Sequence, residues 1–536
     1  MSRTVFEAFA ATAAEFPDNA FICVPPGEHR DYDVEGRDYS YRETLAAATA
    51  LATLYKAAGY GHGHRVAVLL EQRPHFLFHY LALNSLGVTL VPVNPDYRAD
   101  ELNYLFDHSE ADLAVVARHR VGDIDAVAKA LPRKLPVVDA SDLPERLPGP
   151  RDPARNEPAS VKTVATILYT SGTTGRPKGC LLSNEHHLIT GHFYATYSGI
   201  MTMERGKERL INPLPLYHTN SLVSSTTAMM VTGGCIVLSD RFSPTRWWKE
   251  VAASRATRIH YLGIMPPLLL AQPETPEERA HCVKVGIGAG IEPALHPRFE
   301  QRFGFPLVEV WGMTETGRAY AAWEEPRMID TRAFGRPREG MEGMIVDEQM
   351  NEVPRGTPGE LVVRHNAADP RHGLFSGYLK NEAATEEAWR GGWFHTGDIC
   401  TQDESGMFFF VDRGKNIIRR SGENIAGAEV EACLAAHPAV AQVAVMAVKD
   451  EMRDEEVLAC VVPRAGHAPD AALAEALTRW CLERQAYYKA PGWVLFRDSL
   501  PTTGTQKVQK HQIFAAGSDA RQEKGIVDLR SLKKRG

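Results

Sequence analysis

Short apolar runs alternate with longer stretches of helical spacing along most of the chain. Residues 65–70 (RVAVLL) read as a buried strand, 76–86 follow with apolar positions at helical spacing, and 89–93 (TLVPV) return to strand character. A helical stretch over 101–107 then leads into 112–117 (DLAVVA). Continuous apolar strands predict burial on both faces. Strand–helix–strand succession predicts parallel pairing, because the crossover helix returns the chain to the same end of the sheet. Further strand-like runs lie at 167–169, 235–238, 307–311 and 360–364. Residues 139–158, rich in Pro, Asp and Arg with little periodicity, read as a surface connection. There is no internal repeat.

The clearest boundary falls at 411–415 (VDRGK). An aromatic strand-like run, 407–411, precedes it; a helix over 428–436, strands over 443–448 and 457–462, and a helix over 471–484 follow. The expected architecture is α/β. Residues 1–412 form a large N-terminal domain with parallel-rich sheets and helices on both faces, and 413–536 a small mobile α+β C-terminal domain. From about 517 the chain turns polar and basic, which predicts a loosely held tail.

A chain of 536 residues, 44% hydrophobic and 24% charged, is ordinary for globular domains and too long for one core. Its net charge of −7 gives no overall pull toward nucleic acid or anionic lipid. The longest apolar stretch, 76–93, is broken by His79 and Asn84, so no membrane span is expected. The first twenty residues carry Glu7, Glu15 and Asp18 without an apolar core, unlike a signal peptide. Eight cysteines with no CxxC spacing point to a reducing, cytoplasmic compartment.

Candidate chemistry begins at residues 169–179, YTSGTTGRPKG. Glycines let backbone N–H groups close around an anion, Thr170, Ser171, Thr173 and Thr174 add donors, and Lys178 adds charge. The spacing of Gly172 and Gly175, and Gly179 after the lysine, exclude a Walker A loop. Composition alone leaves a phosphate loop and a flexible surface loop both open.

This segment resembles the signature loop of the adenylate-forming superfamily of acyl-CoA synthetases, luciferases and adenylation domains. Further segments similar to that family's motifs follow in its order: WGMTETG (311–317), GWFHTGDI (392–399), DRGKNIIRRSGENIAGAEVE (412–431) and a lysine loop, LPTTGTQKVQK (500–510). Within the superfamily, 288–317 and the TQKVQK ending look most like carnitine/crotonobetaine-CoA ligase-like enzymes.

The resemblance implies ATP, Mg²⁺ and coenzyme A as cofactors. Thr170, Ser171, Gly172, Thr173, Thr174, Gly175 and Lys178 would hold the β- and γ-phosphates. Thr314 would contact the α-phosphate, and Glu315, with Thr174, would bind Mg²⁺. Gly288, Ala289, Gly290, Glu309 and Trp311 would flank adenine, while Asp398 and Arg413 would hold the ribose. Lys507 would be the catalytic lysine, although Gln506 stands where the family keeps glycine; Lys510 is the runner-up. Lys415 would be the hinge, and Arg419, Gly422 and Asn424 would reach AMP or coenzyme A. His218, Asn220, Ser221, Gly312 and Arg318 would form the acyl pocket, which is more polar than a fatty-acid tunnel needs.

The implied activity is ATP-dependent ligation of a small or polar carboxylic acid to coenzyme A through an acyl-adenylate. Transfer to a carrier protein or an amine, and a nucleotide-binding homologue without turnover, stay open, as does a homodimer. Nucleic acid and integral membrane contact are not expected.

Overall fold

The computed structural model describes residues 4–170, 176–413, 417–501, 508, 510–515 and 518–534. The chain divides into two compact units. One comprises 1–95, 106–168 and 179–412; the other comprises 96–105, 169–178 and 413–536.

In the first unit, thirteen strands among the described residues form one mixed sheet. Its centre is parallel: Ala20–Val24, Cys235–Leu238, Arg209–Asn212, Arg258–Leu262, Val285–Ala289 and Leu307–Met313 pair in that order. Beyond Leu307–Met313 the pairing turns antiparallel through Gly317–Ala321 and Ala333–Pro337, because a tight turn and then a helix-free connection over 322–332 stand in place of a crossover helix. A second sheet pairs Val137–Asp139, Leu113–Val116, Arg65–Leu69, Thr89–Pro92 and Val164–Thr170 in parallel. The expected parallel-rich α/β architecture is present.

The helix Pro74–Ser85 begins with proline, which costs no helical hydrogen bond at that position, and is buried almost all round. The two polar residues that interrupt its apolar run are satisfied inside. His79 Nδ1 pairs with the Tyr55 hydroxyl at 2.8 Å, and Asn84 Nδ2 donates to Asn184 Oδ1 at 2.8 Å. Burial pushes the His79 imidazole down to about 3, so it sits there neutral.

The second unit holds a sheet ordered Glu423–Ala426, Ile417–Arg420, Asp454–Pro463, Trp493–Phe496 and Val527–Asp528, with Val440–Asp450 also on Asp454–Pro463. Helices Gly427–Ala435 and Ala471–Arg484 supply Val430, Leu434, Leu477 and Cys481 to its core. The basic stretch after 517, read as a loosely held tail, is docked. Val527–Asp528 adds a strand beside Trp493–Phe496, Leu529 is buried, and the Lys533 ammonium reaches the buried Glu456 carboxylate. A sparse apolar pattern hid this, because a strand pairing and the charged contacts of Glu523, Arg530 and Lys533 hold the segment.

Candidate active site

Strand Leu307–Met313 ends in a turn over Thr314, Glu315 and Thr316, and the chain returns as Gly317–Ala321 with Gly312 opposite Arg318. The turn is closed from within: Met313 N–H donates to Thr316 Oγ1 at 3.0 Å, and that hydroxyl donates to the Gly317 carbonyl at 2.9 Å. Gly317 has φ +61°, and a Cβ there would lie 2.4 Å from Thr190 Oγ1, so glycine is required on both counts.

Glu315 is 5% exposed. The Tyr378 hydroxyl donates to Glu315 Oε1 at 2.8 Å, and Phe375 N–H donates to the Glu315 carbonyl at 2.8 Å. Burial, then the facing carboxylate, push the Tyr378 phenol far above its ordinary value, so it remains a donor at every physiological pH.

Trp311 Nε1 donates to Asp398 Oδ2 at 2.9 Å, joining the segments 311–317 and 392–399. Strand Phe394–Gln402 carries Asp398, which is 3% exposed. Glu360 fixes the strand residues just before Asp398, accepting from Gly397 N–H at 2.9 Å and pairing with His395 Nδ1 at 2.9 Å.

Glu309 is half-buried, and its carboxylate is spent inside the protein. It accepts from the Tyr261 hydroxyl, from Gly290 N–H at 2.8 Å and from Ile291 N–H at 3.3 Å. Burial raises its pKa, and these donors oppose the rise. Glu309 therefore shapes the 288–291 loop. A Cβ on Gly288 would lie 2.2 Å from the Tyr261 carbonyl, so glycine lets the two strand ends close together.

At the segment expected to line the acyl pocket, the Tyr217 and His218 rings are tilted against each other with centroids 4.6 Å apart, and His218 N–H donates to the Pro215 carbonyl. Asn220–Thr226 is a π-helical turn. Asn220 Oδ1 accepts from Asn212 Nδ2 at 2.9 Å, and Thr226 Oγ1 donates to the Ser221 carbonyl at 2.9 Å. The Ser221 hydroxyl is buried without a partner among the described residues. The wider turn displaces side chains from regular helical positions, a distortion frequent at ligand sites.

In the second unit, Thr170 closes strand Val164–Thr170 and Lys178 opens Lys178–Ser183. Beside the loop, Tyr104 donates to the Pro177 carbonyl at 2.8 Å, and the Arg176 guanidinium lies 5.3 Å from the Tyr104 ring centroid. Arg419 faces Asn424 across a hairpin whose two-residue turn, Ser421–Gly422, has φ +51° and +91°. That conformation suits glycine at the second position. Lys510 is held by Glu431 at 2.5 Å and by the Val445 carbonyl at 2.8 Å. Ser171, Gly172, Thr173, Thr174, Gly175, Lys415 and Lys507 lie outside the described residues, as do the side chains of Arg318 and Arg413.

Tyr378, Tyr261 and Glu360 support the site without any sequence signal. Each acts through a partner 35 or more residues away, and its surroundings in sequence match no motif. Among the described residues no group of three or more His, Cys, Asp or Glu side chains could hold a metal. Glu315 is a lone carboxylate with Tyr378 on one oxygen, which suits Mg²⁺ taken up with nucleotide phosphates and water.

The AMP-binding enzyme family matches residues 9–379, and the AMP-binding enzyme C-terminal domain matches 429–507. The chain is 31% identical over 497 residues to crotonobetaine/carnitine–CoA ligase of Proteus mirabilis, covering 89% of this chain and 93% of that protein. It is 30% identical over 521 residues to sulfoacetate–CoA ligase of Cupriavidus necator, covering 95% and 97%. Its fold matches o-succinylbenzoate CoA synthetase from Bacillus subtilis with a TM-score of 0.80 at 24% identity, over 94% of this chain and 97% of that one.

Proposed function

Because the chain belongs to the AMP-binding enzyme family, we propose that it joins a small or polar carboxylic acid to coenzyme A at the expense of ATP. In the first step the substrate carboxylate attacks the α-phosphorus of ATP, forming an acyl-adenylate and releasing pyrophosphate. In the second, the coenzyme A thiol attacks the acyl carbon, AMP leaves, and the thiol proton passes to solvent. The Trp311–Asp398 hydrogen bond carries this reading: it holds the carboxylate proposed for the ribose against the strand that leads into Thr314 and Glu315.

Two anions meet in the first step, so fixed donors and cations must offset the charge that develops. Thr314 would donate to the α-phosphate. Lys507 would neutralise the attacking carboxylate and α-phosphate, and the 170–178 loop with Lys178 would hold the departing pyrophosphate. Glu315, oriented by Tyr378, would hold Mg²⁺, which supplies charge neutralisation on the phosphates when bound. Asp398 would accept from the ribose hydroxyls, with Arg413 beside it. Gly288, Ala289 and Gly290, held by Glu309, would line the adenine. His218, Asn220, Ser221, Gly312 and Arg318 would form the acyl pocket. Lys415 would be the hinge that brings Arg419, Gly422 and Asn424 toward coenzyme A in the second step.

Two features support a small or polar acid. The 220–226 turn buries Ser221, Ser224, Ser225 and Thr226, and the named substrates of the two curated relatives are short polar acids. No helix among the described residues is long and apolar enough to cross a membrane, and all eight cysteines are free. The free cysteines support the proposal of a cytoplasmic enzyme.

The test is acid-dependent ATP–pyrophosphate exchange over short, branched, hydroxylated, sulfonated and quaternary-ammonium acids, with each hit repeated with coenzyme A and products followed by mass. Exchange with coenzyme A-dependent thioester and AMP is expected. Exchange that never yields thioester would overturn the acceptor, and tight ATP binding with no exchange for any acid would overturn the ligase.

A further inference from the structure

Arg338 follows strand Ala333–Pro337, donates its N–H to the Ala319 carbonyl at 2.8 Å, and is 3% exposed. Both terminal guanidinium nitrogens, Nη1 and Nη2, are buried without a hydrogen-bond partner among the described residues, and no ion pair among them includes Arg338. The guanidinium carbon lies 5.2 Å from the Phe193 ring centroid. Phe193 packs edge-on against Tyr197 at 4.5 Å, and Tyr197 against Trp323 at 4.5 Å. Trp323 Nε1 and Thr190 Oγ1 are likewise buried without partners among the described residues. Thr190 stands against Gly317, on the same helix as Phe193.

Among the described residues the surroundings supply donors and aromatic faces, and no carboxylate pairs with Arg338. His186, on the same helix, is neutral: burial and then Arg338 push its pKa down to about 3, while Nδ1 pairs with the Gly373 carbonyl at 3.1 Å. Burial lowers the Arg338 guanidinium only to about 10, so it stays protonated at neutral pH. A cation with this much desolvation and no counter-charge is costly, and a cation–π contact offsets only part of that cost. A guanidinium fork with free nitrogens is matched by a carboxylate or a sulfonate.

We propose that Arg338 is the recognition site for an anionic group at the far end of the acid substrate, so that the preferred acids carry a second carboxylate or a sulfonate. This rests on the ligase reading and narrows its substrate class. Position agrees: Arg338 is hydrogen-bonded to the strand that follows the Thr314–Thr316 turn, one residue beyond Arg318 of the proposed acyl pocket.

The experiment compares full-length wild type, Arg338→Met and Arg338→Lys on length-matched acids: succinate and 3-sulfopropanoate against butanoate, read as acid-dependent pyrophosphate exchange. Wild type should favour the dianions. Arg338→Met should cut the dianion-to-butanoate ratio of kcat/KM by about 100-fold, with Arg338→Lys between the two. Because an unpaired charge is removed, Arg338→Met should melt no lower than wild type without ligand. A wild-type preference for butanoate, or an unchanged ratio in Arg338→Met, would overturn the proposal.

Thermal shifts with chloride, inorganic sulfate and succinate complete the test. Stabilisation of wild type but not Arg338→Met by chloride or sulfate, with the acid preference unchanged, means that a free ion sits there and overturns substrate recognition. If no acid supports exchange in any of the proteins, the ligase reading fails on its own. Succinate stabilisation that Arg338→Met abolishes would then still support the anion site, and its absence in wild type would sink it.

Discussion

The indole N–H of Trp311 donates to the Asp398 carboxylate across 87 residues of sequence at 2.9 Å, with both side chains buried. The bond uses one lone pair of a carboxylate that can accept several and fixes the direction of the rest. Trp311→Phe keeps the packing against Tyr320 and Phe334 but removes the donor. A hydrogen bond to a charged group is worth ~1.5–3 kcal/mol, so KM for ATP should rise by roughly ten-fold or more. KM for the acid should move far less. An unaltered KM for ATP would remove Asp398 from the nucleotide site.

Tyr378→Phe tests the support of Glu315. Loss of the phenol leaves a nearly buried carboxylate short of one donor at Oε1. The expected outcome is a roughly ten-fold fall in kcat for pyrophosphate exchange and a higher Mg²⁺ requirement. A fall in thermal stability with normal kcat and normal Mg²⁺ dependence would make Tyr378 purely structural.

Lys507→Ala separates the two proposed steps. Pyrophosphate exchange should fall by about 100-fold or more, as expected for removing a cation that acts on the developing charge. Thioester formation from a supplied acyl-adenylate and coenzyme A should persist. Lys510→Ala, which breaks the pair with Glu431, is the comparison. If Lys510→Ala abolishes exchange and Lys507→Ala spares it, the lysine assignment is reversed.

Lys533 makes stability depend on pH. Its ammonium is buried with the cation Arg420 and the single carboxylate of Glu456, and burial first, then Arg420, bring its pKa from 10.5 down to about 7. Arginine cannot release its proton, so the lysine does. Between pH 7 and 10.5 the unfolded chain binds more protons than the folded one. Stability should therefore rise with pH across that window, by up to ~1.4 kcal/mol per unit, with the penalty fully present below about pH 7. Lys533→Met should flatten the dependence measured by urea unfolding from pH 6.5 to 9.5. Parallel curves for the two proteins would show that Lys533 stays charged in the fold.

Local pattern was enough wherever an element is regular and its signal lies within a few residues. The helix Ala471–Arg484 matches its predicted span at both ends, because Asp470 caps it and its apolar positions recur at helical spacing. Strand Cys235–Leu238 does the same as a continuous apolar run. Strands Ala333–Pro337 and Met341–Val346, interrupted by Gly, Arg and Glu, gave no such signal, and only their place in the large sheet makes them strands.

By itself the sequence determined the α/β class, the order of the motifs and the residue types available to handle phosphate and carboxylate, since these depend on periodicity and local composition. Tertiary packing alone decided the partners. It joined Trp311 to Asp398 and Tyr378 to Glu315, turned Glu309 inward to hold a loop, and docked a basic tail through Lys533. It also buried Arg338, whose surroundings in sequence, GRPREG, carry no signal of burial. The reason is physical: hydrogen bonds and desolvation act over a few ångströms of space, and no spacing along the chain records which distant residues the fold brings that close.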